Sequence, residues 1–205
     1  MMNKNYLTLA FVAVIVLLLA ACNKEDMSYD LEQSIFIEDE DLPGLPIYSE
    51  WGYNTFGALI DRVPFVSERV AIPSKVIVKS DTLNFWLKGT YRGDNTILII
   101  SFPNFNLTSH ENLLEFNGKN FDLTDTTKCL LTLKRGTQKQ KLRILDGNFH
   151  FKKVQKLLVD KEFIKVILSG EFKFKTFLNE EPVAINYGRF DLGIGYDNFF
   201  NLGGF

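Results

Sequence analysis

The chain has little of what most enzymes and nucleic-acid binders rely on. Two histidines and two cysteines in 205 residues leave scant material for a metal site or a thiol nucleophile. His110 and His150 lie forty residues apart, without a spacing suited to a shared ion. No phosphate-cradling glycine loop, dinucleotide fingerprint, histidine–glutamate zinc pair or Gly-x-Ser-x-Gly elbow occurs. Neither a cofactor nor a metal is therefore expected. The net charge is only −2 and no nucleic-acid motif accompanies it, so nucleic acid is not an expected partner. No amphipathic helical period runs over a long window and no repeat is visible, which argues against solenoids and propellers.

The one long apolar run stands near the N-terminus. It follows the single cation Lys4, begins near Tyr6 and closes at Leu19-Ala20-Ala21-Cys22. A charged start, an apolar middle and small residues before the cut make residues 1–21 a secretory signal peptide. A cysteine directly after those small residues resembles the bacterial lipobox, which implies a diacylglycerol on the Cys22 thiol. Several acyl chains on one residue exceed the two-signal threshold for stable anchoring, so the membrane is the expected partner through lipidated Cys22. The next residues, Asn23-Lys24-Glu25-Asp26, resemble the export signal of surface-displayed lipoproteins in Bacteroidota. That resemblance implies an outer-membrane lipoprotein that faces outward, with Lys24, Glu25 and Asp26 as the signal.

With Cys22 lipidated, Cys129 has no partner for a disulfide. It shares strand parity with Leu131 and Leu133 and reads as a buried small apolar residue. Residues 22–46 read as a flexible acidic tether: eight acids stand against Lys24 alone, and Pro43-Gly44-Leu45-Pro46 ends the stretch. The remainder is then basic by about four charges. Its densest basic stretch runs from Lys134 through Arg135, Lys139, Lys141, Arg143, Lys152 and Lys153 to Lys156.

Residues 47–205 read as one all-β domain, an antiparallel β-sandwich or open barrel. Nineteen Phe, seven Tyr and many β-branched residues favour strands. From Ile164 to Lys175, Ile164, Val166, Leu168, Phe172 and Phe174 alternate with Lys165, Ser169, Glu171, Lys173 and Lys175, the pattern of a half-exposed antiparallel strand. Gly170 interrupts the apolar face and marks a bulge or a close backbone approach. Ile97-Leu98-Ile99-Ile100 is apolar on both faces and predicts a central strand. Around Leu113-Leu114-Glu115-Phe116 two readings stay open: a hairpin turning at Asn117-Gly118, or a short helix capped from Ser109.

The segment Ser49-Glu50-Trp51-Gly52-Tyr53-Asn54-Thr55-Phe56-Gly57 resembles the domain opening of small Bacteroidota lipoproteins of unknown function. So do Ser169-Gly170-Glu171-Phe172-Lys173-Phe174 and Gly188-Arg189-Phe190-Asp191 in the last third. The resemblance implies an all-β exported domain and brings no catalytic residues. Trp51, Tyr53 and Trp86 are the candidate glycan contacts, because flat rings on a rigid scaffold stack on sugars. Asp81-Thr82-Leu83 and Asp125-Thr126-Thr127 resemble the O-glycosylation sequence of exported Bacteroidota proteins, which makes Thr82 and Thr126 candidate modification sites. The expected function is non-enzymatic binding of a glycan or an envelope protein. The alternatives are an assembly subunit pairing through an edge strand and a hydrolase using two of Asp61, Glu68, Asp122, Asp191 and Asp197.

Overall fold

A computed structural model describes residues 34–67 and 73–203. The signal peptide, Cys22, Lys24, Glu25, Asp26 and Glu68 lie outside the described residues. The described residues belong to one compact unit.

The described residues form twelve strands, most of them joined by short connections. They are β1 (Thr55–Ile60), β2 (Val63–Val66), β3 (Ser74–Lys79), β4 (Thr82–Tyr91), β5 (Asp94–Pro103), β6 (Asn120–Asp122), β7 (Leu130–Arg135), β8 (Gln138–Lys141), β9 (Asp146–Val159), β10 (Glu162–Leu178), β11 (Glu181–Ile194) and β12 (Phe199–Asn201). All belong to one sheet, ordered β6-β9-β10-β11-β1-β2-β4-β5-β7-β8. Strand β3 pairs with β4 beyond the end of β2, and β12 adds to β3 in parallel. The all-β, single-domain expectation holds, and of its two alternatives the open one is found: a sheet curled into a half-barrel. The run between β8 and β9 bridges β7 and β10. Leu142 N–H donates to Leu131 O of β7, whereas Leu145 N–H donates to Lys175 O of β10.

Curling turns one face of the sheet inward, and the phenylalanines fill it. Phe85 of β4 lies 6.1 Å from Phe149 and 5.7 Å from Phe190 (ring centroids), so β4 packs directly across the interior on β9 and β11. Phe102 of β5 touches Phe121, Phe149 and Phe151 in the same way. Each such ring, fully buried, contributes about 1.5–3 kcal/mol by leaving water. The Leu113 region is helical: a 3-10 turn at His110–Phe116, with the Asn112 side chain accepting the Thr108 and Ser109 N–H groups, covers the interior with Leu113 and Phe116. Cys129 is buried beside Leu131 and Leu133, and desolvation pushes its thiol up to about 12, where it stays protonated and unreactive.

Two sequence expectations change. First, the acidic stretch is not all tether. From Ser34 on the chain is hydrogen-bonded into the fold, with Ile35 N–H to Tyr53 O, Ile47 N–H to Ile37 O and Leu45 fully buried. Arg189 pairs with Asp39 and donates to Pro46 O, and that guanidinium holds the Asp39 carboxyl below its ordinary value. Composition alone missed this because the partner cation lies 150 residues downstream. Second, β10 is half-wet only in its second half. Phe172 and Phe174 are buried while Glu171 and Lys173 are exposed, as the alternation requires. In the first half Lys165, Ile167 and Ser169 are buried as well, because residues 49–54 lie over them from outside. Ile164 is only half-buried. Gly170 sits against both a bulge and a close approach, since a Cβ there would lie 2.1 Å from His150 O and 2.5 Å from the Phe190 ring.

Candidate functional site

The outer surface of β9, β10 and β11 carries the most organised polar arrangement of the molecule. Its anchor is Asp191, 1% exposed on the outward parity of β11. The Trp51, Gly52 and Tyr53 N–H groups donate to its carboxylate at 2.8–3.2 Å, and the Ser169 hydroxyl donates at 3.0 Å. Gly52 can turn here because it holds φ +79°, and a side chain at that position would press on Ile167. Asn54 extends the lock by accepting the Gly193 N–H at 2.9 Å. The three segments that carried the sequence resemblance therefore meet at one buried carboxylate.

This lock presents Trp51. The residue is 76% exposed although its backbone is fixed. A concavity of about 380 Å³ beside it is lined by Tyr48, Ser49, Glu50, Trp51, Lys153 and Gln155. Glu50 accepts from Tyr48 OH at 3.0 Å and from Lys153 Nζ at 2.9 Å, and the Lys153 ammonium, then the phenol, hold its carboxyl below the usual range. Burial first, then the Glu50 bond, keeps the Tyr48 phenol protonated far above its ordinary titration. Gln155 Nε2 donates to Glu50 O at 2.6 Å. The result is a flat ring with fixed donors and acceptors at its foot, on a braced segment.

Two bulges shape the neighbouring surface. Ser169 pairs with Lys153 and Gly170 with Phe151, so Lys152 is the extra residue and both lysines face outward. Between the Phe172–Gly188 and Phe174–Ile185 pairs, β11 carries an excess residue as well, and Tyr187 (φ +54°) stands 56% exposed. A second concavity of about 370 Å³ opens there. Lys152 Nζ joins the two, 3.0 Å from Glu171 on one side and 4.5 Å over the Tyr48 ring on the other.

The sequence candidates are distributed as follows. Trp51 and half-buried Tyr53 share the locked turn. Trp86 does not join them. It is half-buried on the outer face of β4, opposite Ile99, and the inner face of β4 packs on β9 and β11, so Trp86 and Trp51 occupy opposite sides of the barrel. Thr126 is exposed in the turn before β7, whereas Thr82 opens β4 half-buried and donates weakly to Ser80 O at 3.5 Å. The basic run divides: Lys152 and Lys153 border this surface, while Arg135 stacks 4.6 Å over Tyr91. Among the acids considered for hydrolysis, Asp191 is enclosed, Asp61 accepts the Ala184 N–H, and Asp122 holds Thr124. His110 is buried against Phe163, Tyr196 and Phe199, which lowers its proton affinity, and His150 lines the second concavity. Among the described residues no three of His, Cys, Asp and Glu gather as metal ligands, and no helix is long and apolar enough to cross a membrane. Sequence reasoning missed Tyr48, Glu50, Gln155 and Tyr187. Compared with known proteins, the chain matches no family model, no curated protein and no solved structure.

Proposed function

We propose that this protein is an outer-membrane lipoprotein whose half-barrel binds a glycan without catalysis. The observation that carries the binding reading is the Trp51 platform: an exposed indole on a backbone immobilised by Asp191, with Tyr48, Glu50, Lys153 and Gln155 around it. A ring held in place before binding loses little freedom on contact, which is how stacking yields affinity rather than ordering cost. Glycan arrays probed with the protein are expected to show defined hits that Trp51→Ala weakens at least about tenfold, while its stability changes by less than about 0.5 kcal/mol. Absence of hits, or the same hits at the same strength in the variant, would overturn the reading.

The address rests on the lipobox. Cys22 carries the lipid in this proposal, and Lys24, Glu25 and Asp26 direct the protein to the outer leaflet, which protease accessibility on intact cells tests. Cys22→Ser is expected to abolish labelling by an alkyne fatty acid, because the Cys22 thiol is the proposed point of lipid attachment. Undiminished label would refute the lipoprotein assignment. Thr126 and Thr82 are the proposed glycosylation acceptors, with a shift in intact mass on Thr126→Ala as the check.

A further inference from the structure

We propose that the second concavity, across β9, β10 and β11, is an acidic-sugar subsite, so that the glycan bound by this protein is anionic. The inference rests on the glycan reading of the Trp51 platform and deepens it. Asn148, His150, Glu171, Lys173, Tyr187 and Arg189 line a groove of about 370 Å³, within the ~300–1,000 Å³ typical of ligand sites. Tyr187 supplies the ring. It is 56% exposed on a bulge at φ +54°, a left-handed backbone that turns the side chain out of the strand's regular alternation.

The charges of the groove select the ligand. Glu171 is neutralised by Lys152 at 3.0 Å. Arg189 is engaged by Asp39, Pro46 O and, through Nε, Tyr187 O, so it braces the aromatic bulge. Lys173 is exposed and forms no ion pair among the described residues. The local balance is therefore one uncompensated cation. Beside it Asn148 and His150 offer side-chain hydrogen bonds, Asn148 already being oriented by Asn120 at 3.3 Å. A sugar ring lying on Tyr187 would direct a carboxylate or sulfate to Lys173 and its hydroxyls to Asn148 and His150. Lys152 stands between the two concavities, bound to Glu171 of the groove and lying over Tyr48 beside the Trp51 platform, so a chain of linked sugars long enough to cross it would engage both.

The test uses the full-length protein in detergent at 0.15 M salt, titrated with polygalacturonate, dextran sulfate and neutral dextran. Wild type is expected to bind one or both anionic polymers at least about tenfold more tightly than dextran, the value of one charge-assisted contact. Lys173→Gln removes that preference, and Tyr187→Ala weakens the anionic polymer about tenfold, while Lys139→Gln on β8 changes neither. The carboxylate and sulfate arms show which group the site takes. Equal affinity for neutral and anionic polymers, with Trp51 still required, overturns the subsite and leaves the glycan reading standing. Loss of affinity in Lys139→Gln equal to that in Lys173→Gln also overturns it, since binding would then follow diffuse charge. No binding to any polymer, together with an empty glycan array, overturns both.

Discussion

Asp191→Ala is expected to destabilise the folded unit by about 3 kcal/mol and to free the Trp51 turn from the sheet. The carboxylate accepts from three successive backbone N–H groups and from Ser169, and it is nearly inaccessible to water. Alanine leaves those donors facing a small void. An N–H deprived of its acceptor away from water costs more than an average hydrogen bond contributes, so the loss exceeds that of a surface acid. Asp191→Asn should fall between the two, since its amide keeps one acceptor and sets a donor against donors. Urea melts give the stability. Tryptophan anisotropy in a Trp86→Phe background reports Trp51 alone, because the chain has only two tryptophans. A loss of under about 0.5 kcal/mol with unchanged anisotropy would show that the lock is incidental.

That lock also explains where sequence reading succeeded and where it stopped. Period-two alternation is a local property, so Leu83, Phe85 and Leu87, Phe149 and Phe151, and Phe172 and Phe174 were all legible as inward faces. Coverage of the outer face is not local. Ile167 and Ser169 are buried by a segment whose contacts with Asp191 span 138 to 140 residues of sequence. A clue was present: Asp191 and Ser169 each interrupt otherwise apolar strand runs, which a buried polar group does only with partners. The bulge that turns out both Lys152 and Lys153, and shifts the parity between Phe151 and Val154, was not read from the sequence. No local pattern distinguished Trp51 from Trp86, because exposure there depends on which side of a curled sheet each residue reaches. The acidic stretch illustrates the same limit. Its composition favours solvation, yet Arg189 and the buried Leu45 hold part of it in the fold.

Phe172→Ala is expected to cost about 3–5 kcal/mol, whereas Lys173→Ala should cost within about 0.5 kcal/mol. Phe172 is 2% exposed, stacked 5.6 Å from Phe149 and 6.4 Å from Phe174, so truncation removes both its transfer from water and its ring contacts. The cavity cannot collapse easily. Phe172 pairs with Phe149 on β9 and with Gly188 on β11, so β10 is held by a neighbouring strand on each side. Lys173, one residue on, projects into the groove and loses only solvated side chain. The contrast therefore separates interior from groove at adjacent positions, and denaturant melts of both variants measure it. Comparable losses would place Lys173 in a packed layer, which would contradict the parity of β10 and remove the cation from the proposed subsite. A large loss for Phe172→Ala alone leaves Lys173→Gln a clean probe of binding, because its effect on affinity then has no share in folding.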